Sequence, residues 1–191
     1  MFADGHVEVD GARLRYLEAG QGAALVHLGS PPTPAHDLLA RQFRVIVLEA
    51  SGPAPGALGQ ALTSLGLESF NLMATSAASA VALRLVLEAP ERVSALVLEA
   101  PTAISGTELE RRLPQVATPT LVLFGTADRL DAQQTGRLYA ETMPNGHLVF
   151  VYDAAQAIGR DRPEAFAEVV VDFLERHEAF IISRTPTVIH P

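Results

Sequence analysis

Ser69-Phe70-Asn71-Leu72-Met73-Ala74-Thr75-Ser76-Ala77-Ala78-Ser79-Ala80-Val81-Ala82-Leu83 joins a short apolar run to an Ala-rich segment with helical periodicity. The pattern predicts a strand, a sharp turn with Ser76 at its apex, and a helix. A serine on such a turn stands above the end of a sheet, where its hydroxyl can attack a carbonyl carbon. The usual form is Gly-x-Ser-x-Gly, and Ala74-Thr75-Ser76-Ala77-Ala78 has alanine at both glycine positions. Other chemistries are poorly supplied. The chain has no cysteine, which removes thiolate catalysis, disulfides and Cys-based metal sites. No two histidines have ligand spacing on one helix face, so no metal is expected. The glycine-containing loops lack a phosphate-cradling signature, and no cofactor is expected.

Length and charge narrow the class further. With 191 residues, 48% of them hydrophobic and 19% charged, the chain can bury a full core as one globular domain. Its net charge of −8 argues against nucleic acid or an anionic membrane surface as the main partner, since both recruit Lys and Arg. Met1 to His6 show no basic region followed by an apolar one, so no signal peptide is expected. No apolar run approaches the roughly 18 residues of a membrane span. The expected location is the cytoplasm.

The elements that must position Ser76 follow from periodicity. Val7 to Leu17 alternate in character around Asp10-Gly11, a pair suited to a tight turn, and predict an antiparallel hairpin. Ala23–His27, Arg44–Glu49, Phe70–Thr75, Val93–Leu98, Thr120–Phe124 and His147–Tyr152 are short apolar strands. Between them, Ala35–Gln42, Ala57–Leu65, Ala77–Ala89, Thr107–Leu113 and Ala132–Met143 read as helices, and Pro163–Ala179 as the last. This alternation makes an α/β fold: a mostly parallel central sheet with an N-terminal antiparallel hairpin and helices on both faces. Ligands in such sheets sit at the C-terminal ends of the strands. Residues 1–179 form the expected domain and 180–191 a tail, in which Phe180-Ile181-Ile182 could pair as an edge strand or pack on a neighbour.

With these strand ends assembled, the chain resembles the α/β-hydrolase superfamily over nearly its whole length. The resemblance rests on several stretches in order. They are Ala80-Val81-Ala82-Leu83-Arg84 through Pro90-Glu91-Arg92-Val93, Leu96-Val97-Leu98-Glu99-Ala100-Pro101, Thr118-Pro119-Thr120-Leu121-Val122-Leu123-Phe124-Gly125, and Arg162-Pro163-Glu164-Ala165-Phe166 with Asp172-Phe173-Leu174. It implies a serine, acid, histidine triad in that order, with two backbone donors for the oxyanion. The nucleophile falls on Ser76 and the acid on Asp128. The histidine should end an Asp-x-Gly-His stretch, and this chain has Asp153-Ala154-Ala155-Gln156. The oxyanion and binding rim falls on His27, Leu28, Gly29, Ala77 and Gln156, with leucine in place of the first glycine of a His-Gly-Gly loop. Only Thr102–Gln115 separates two core strands where family members insert a helical cap, so no cap is expected.

An amide has no basic nitrogen, so Gln156 cannot take the serine proton or return it to a leaving group. The remaining histidines are poorly placed to substitute. His6 and His190 are terminal, His177 is on the exposed face of the last helix, His147 begins a strand at the far end, and His27 has a structural role in the family. Two could still approach: His36, after the Pro31–Pro34 loop, and His27, the nearest, which ends the third strand beside the expected oxyanion loop. The expectation is a hydrolase-like protein that binds a small molecule at the rim, or another protein, without hydrolysing it. A serine hydrolase of small esters or thioesters and a structural subunit of a homo- or hetero-oligomer are the alternatives.

Overall fold

Gly11 takes φ +78°, the left-handed conformation that glycine adopts without steric cost, at the tip of a hairpin between β1 (Ala3–Val9) and β2 (Ala12–Ala19). The strands pair antiparallel from Ala3↔Glu18 to Val9↔Ala12, as their alternation predicts. The structure is a computed structural model describing residues 1–9, 11–49, 55–128, 132–176 and 187–189. His177, His190, Phe180–Ile182 and most of the tail lie outside the described residues.

The hairpin continues into β3 (Ala23–Gly29), β4 (Phe43–Glu49), β5 (Phe70–Thr75), β6 (Val93–Glu99), β7 (Thr120–Gly125) and β8 (Gly146–Val151). A further strand, β9 (Thr187–Ile189), pairs parallel with β8. The sheet order is β1-β2-β4-β3-β5-β6-β7-β8-β9, and every pairing beyond β2–β4 is parallel. The edge strand in the tail therefore falls on residues 187–189. The three-residue run Thr-Val-Ile is β-branched throughout, but it is too short to carry a readable alternation.

Helices α1 (Pro34–Leu39), α2 (Pro55–Ser64), α3 (Ala78–Glu88), α4 (Glu108–Arg112), α5 (Ala132–Thr142), α6 (Ile158–Asp161) and α7 (Pro163–Arg176) cover both faces. Alternation along each strand divides the core. Val26, Leu28, Leu72, Ala74, Leu96 and Leu98 point to the face of α2, α3 and α5. Leu25, Met73, Ala95 and Val97 point to the face of α1 and α7, where Phe166, Val170 and Phe173 meet them. Burying each of the Val, Leu, Met and Phe side chains among these contributes about 1.5–3 kcal/mol. Small residues let α3 lie close to the sheet: Ala78 and Ala82 are buried at its contact face, and the helix ends at Ala89, before Pro90.

The connection after β6 holds α4 and one short 3-10 turn, Leu113–Gln115, with no inserted cap. Tyr139 on α5 pins that connection by donating to the Thr102 carbonyl at 2.9 Å. No helix among the described residues is long and apolar enough to cross a membrane.

Candidate active site

Among the described residues three non-glycine residues have positive φ, and all three follow the C-terminal ends of strands: Ser76 (+54°) after β5, Ala100 (+42°) after β6 and Asp153 (+54°) in the turn after β8. A left-handed L-residue is strained by about 1–2 kcal/mol. At Ser76 the strain is held by a backbone hydrogen bond on each side. The Ser76 N–H donates to Glu99 O at 3.0 Å, and its carbonyl accepts from Ser79 N–H at 3.1 Å. Ala74 and Ala78 are both buried, so small side chains stand where glycines were expected and the turn still forms. Helix α3 starts from Ala77, an exposed residue that provides no side-chain cap. Of its leading amides, Ser79 N–H and Ala80 N–H turn back on the Ser76 and Ala77 carbonyls, at 3.1 and 3.3 Å.

Gln156 reaches this turn. Its Nε2 lies 3.4 Å from Ser76 Oγ, at the long limit of a hydrogen bond. The carboxamide thus lies against the Ser76 hydroxyl. Its nitrogen lone pair is delocalised into the carbonyl, so it cannot accept the serine proton.

The Asp128 loop lies beside the Gln156 loop through backbone contacts. Ala127 N–H donates to Ala154 O at 2.9 Å, Thr126 N–H to Val151 O at 2.9 Å, and Asp153 N–H to Thr126 Oγ1 at 3.0 Å. Gly125 makes this approach feasible, because a Cβ there would collide with the Ala154 carbonyl. Asp128 itself is half-buried, with its N–H donating to Gly125 O at 3.2 Å. The Gln156 loop is braced from its far side. Asp161 Oδ2 accepts from Ala155 N–H at 2.9 Å, and Arg162 Nη1 donates to Tyr152 O at 3.1 Å. The Arg160–Arg162 run, a plain solvated surface by composition, therefore holds this loop through Asp161 and Arg162. The Asp153 carboxylate, 76% exposed, lies 4.0 Å from the same Arg162 Nη1.

Two expected rim residues have their side chains beneath the rim. Leu28 continues β3 and is buried in the core on the α3 face, so its Cβ does not shape the turn. The turn begins instead at Gly29, φ +128°, where a side chain would press on Thr75 O at 3.1 Å. His27 is fully buried on the opposite face, because it shares the alternation of Leu25. Its Nε2 lies 2.8 Å from Thr75 Oγ1, and its Nδ1 lies 2.9 Å from His36 Nε2. Burial pushes His27 well below the ordinary imidazole value and His36 down to about 4, so both rings are neutral near pH 7. Their ring nitrogens are occupied with each other, Thr75 and Thr33, and neither reaches Ser76.

Glu99, at the end of β6, was not legible as a site residue. Only 3% exposed, it accepts from Thr75 Oγ1 at 3.0 Å and from Gly159 N–H at 2.9 Å. Burial pushes its carboxyl above the ordinary value, while those donors hold it down. A signal did exist. In the alternations Leu25-His27, Met73-Thr75 and Val97-Glu99, the last member is polar, at the C-terminal end of three neighbouring strands. Among the described residues no group of three or more His, Asp or Glu side chains is placed to hold a metal ion.

No protein-family model matches the chain, and no curated protein matches it. Solved structures do. A CIB-like hydrolase from Thermoplasma acidophilum matches with TM-score 0.76 and 16% identity over 91% of this chain and 98% of that one. Two Bacillus subtilis enzymes match over 91% of this chain and 92% of theirs: carboxylesterase CesB (TM-score 0.79, 16% identity) and naproxen esterase (TM-score 0.80, 13% identity). The fold of this chain is the α/β-hydrolase fold.

Proposed function

We propose that this protein uses the hydrolase fold to bind a small molecule at the C-terminal rim of its sheet without hydrolysing it. The observation that carries the reading is the Gln156 carboxamide, 3.4 Å from Ser76 Oγ where a base is required. In a worked serine-protease example, loss of the histidine alone costs about 10⁶ in turnover. Here Ser76, Asp128 and Gln156 would serve as hydrogen-bonding groups, with Gly29 and the Ala77 amide beside them. A carbonyl compound such as a small ester, thioester or its acid suits that set of donors. The rim has no cap over it, and a second copy of the chain would cover it in a homo-oligomer. The proposed setting is the cytoplasm.

The test is a thermal-shift screen of small esters, thioesters and the corresponding acids. A bound compound raises the melting temperature by mass action, and the rise should vanish in Ala77→Arg, which fills the exposed rim position. A compound that is instead consumed, with consumption abolished by Ser76→Ala, would refute the reading. Light scattering at high concentration tests the second copy; a strict monomer removes that part of the proposal.

One observation favours a second reading, a working hydrolase of small esters or thioesters. Ser76 keeps φ +54° without being glycine, and strain at a side chain of nucleophilic type is a feature of functional turns. Covalent labelling of Ser76 by a fluorophosphonate would support it. Absence of labelling under conditions that label an active serine esterase would remove it.

A further inference from the structure

A hydrogen-bonded chain passes beneath the Ser76 turn, and its direction is fixed at both ends. Thr33 N–H donates to His36 Nδ1 at 3.0 Å, and a peptide N–H cannot reverse its role, so His36 carries its proton on Nε2. That proton goes to His27 Nδ1 at 2.9 Å, which leaves the His27 proton on Nε2, directed at Thr75 Oγ1 at 2.8 Å. The Thr75 hydroxyl then donates to Glu99 Oε2 at 3.0 Å. At the far end Gly159 N–H donates to Glu99 Oε1 at 2.9 Å. Both carboxyl oxygens meet donors, which is the arrangement a carboxylate requires.

We infer that Glu99 is a positioning residue whose carboxylate grips Thr75 with one oxygen and Gly159 with the other, and so sets the separation between the Ser76 turn and the Gln156 loop. Thr75 immediately precedes Ser76, and Gly159 lies three residues beyond Gln156. The Glu99 carbonyl also accepts the Ser76 N–H at 3.0 Å, so one residue holds both walls of the site. Its strength comes from donors alone. The ionisable groups around the chain are the neutral His27 on β3 and His36 on α1, with Asp37 on α1 and Asp161 on α6, and none of them is a cation. Hydrogen bonds to an ionised acceptor are roughly twice as strong as neutral ones. The inference rests on the site assignment above but not on whether the site hydrolyses anything.

Two measurements test it, and neither uses turnover. Imidazole ¹⁵N spectra at pH 7 should show His27 and His36 both neutral and both Nε2–H. In Glu99→Gln an amide that keeps Gly159 on its oxygen turns its NH₂ toward Thr75 and removes that hydroxyl's acceptor. His36 Nε2–H still fixes His27 Nδ1 as an acceptor, so His27 should stay Nε2–H with a shifted ¹⁵Nε2 resonance. For position, Ser76→Cys introduces a single thiol into a chain that has none. Its alkylation rate by iodoacetamide should change about three- to tenfold on adding Glu99→Gln or Thr75→Val, the rate equivalent of one hydrogen bond. Thr75→Ser, which keeps the hydroxyl, should restore it. A charged or Nδ1–H His27 in the wild type overturns the inference even where a variant does not fold. Rates that stay unchanged in folded Glu99→Gln and Thr75→Val overturn it as well. Ser76-dependent turnover would refute the non-hydrolytic reading and leave these readouts as they are.

Discussion

Ser76 and Gln156 are 80 residues apart in sequence and meet across the rim, the Gln156 Nε2 lying 3.4 Å from the Ser76 Oγ. The pair has the chemistry of two hydrogen-bonding groups. They are aimed by backbone bonds, the Ser76 N–H on the Glu99 carbonyl and the Ala127 N–H on the Ala154 carbonyl, and by the Glu99, Asp161 and Arg162 side chains. The architecture of the site is therefore held independently of what the Ser76 and Gln156 side chains can do.

That independence makes Gln156→His informative. An imidazole at this position regains a basic nitrogen, and positioned general-base catalysis is worth about 10²–10⁴-fold. A gain of p-nitrophenyl acetate hydrolysis in that range is expected, abolished by adding Ser76→Ala. If the gain persists without Ser76, the imidazole is acting alone and the placement of the pair is wrong.

Gly125→Ala should push the Asp128 and Gln156 loops apart, since the new Cβ meets the Ala154 carbonyl, which is backbone and cannot rotate away. Overpacking of this kind costs about 1–3 kcal/mol. Urea denaturation should show that loss, and in the Gln156→His background the regained activity should fall with it. Unchanged stability would mean that the two loops do not approach as described.

Ser76→Gly should stabilise the protein. Glycine relieves the strain at φ +54°, about 1–2 kcal/mol for an L-residue, against an entropy loss of roughly 0.5–1 kcal/mol. A gain of up to about 1 kcal/mol by urea denaturation is expected, with Ser76→Ala close to wild type. A destabilised Ser76→Gly would show that the hydroxyl, rather than the backbone, holds the turn.

The alternation of strands and helices, the opening hairpin and the missing cap were legible because each rests on local pattern: period-two strands, Pro and Gly punctuation, and the length of Thr102–Gln115. Ser76 and Gln156 were paired through the resemblance to the hydrolase family, and their side chains do meet, at 3.4 Å. Leu28 and His27 were misplaced for one reason. A strand that runs one or two residues further than its apolar core turns the next side chains inward, and β3 extends to Gly29 where His27 was expected to end it. The Glu99 contacts were hidden because they depend on register between β5 and β6, where Thr75 and Glu99 are partners. Register across parallel strands is a tertiary property. The α6 turn at Ile158–Asp161 is too short, at 4 residues, to show a period.

Acidification below about pH 6.5 should destabilise the fold. Between about 6.5 and about 4 the unfolded chain protonates the His36 imidazole while the folded chain, which holds that group down to about 4, does not. Unfolding therefore takes up protons in this window, and stability falls as pH falls, by up to about 3 kcal/mol for His36 at 1.36 kcal/mol per unit. His27, also held below its ordinary value, acts in the same direction. Glu99, held above its ordinary value, acts in the opposite one and blunts the lower end. Urea denaturation at pH 7, 6 and 5 should trace the loss, and His36→Gln should flatten it. A profile unchanged by His36→Gln would mean that this ring is already charged in the folded protein.

The central claim is that Ser76 lacks a base, and the most direct measurement is p-nitrophenyl acetate hydrolysis by the wild type beside Ser76→Ala at equal concentration. Equal rates, both at the level of nonspecific protein background, are predicted. A wild-type rate that saturates with substrate and disappears in Ser76→Ala would contradict the account.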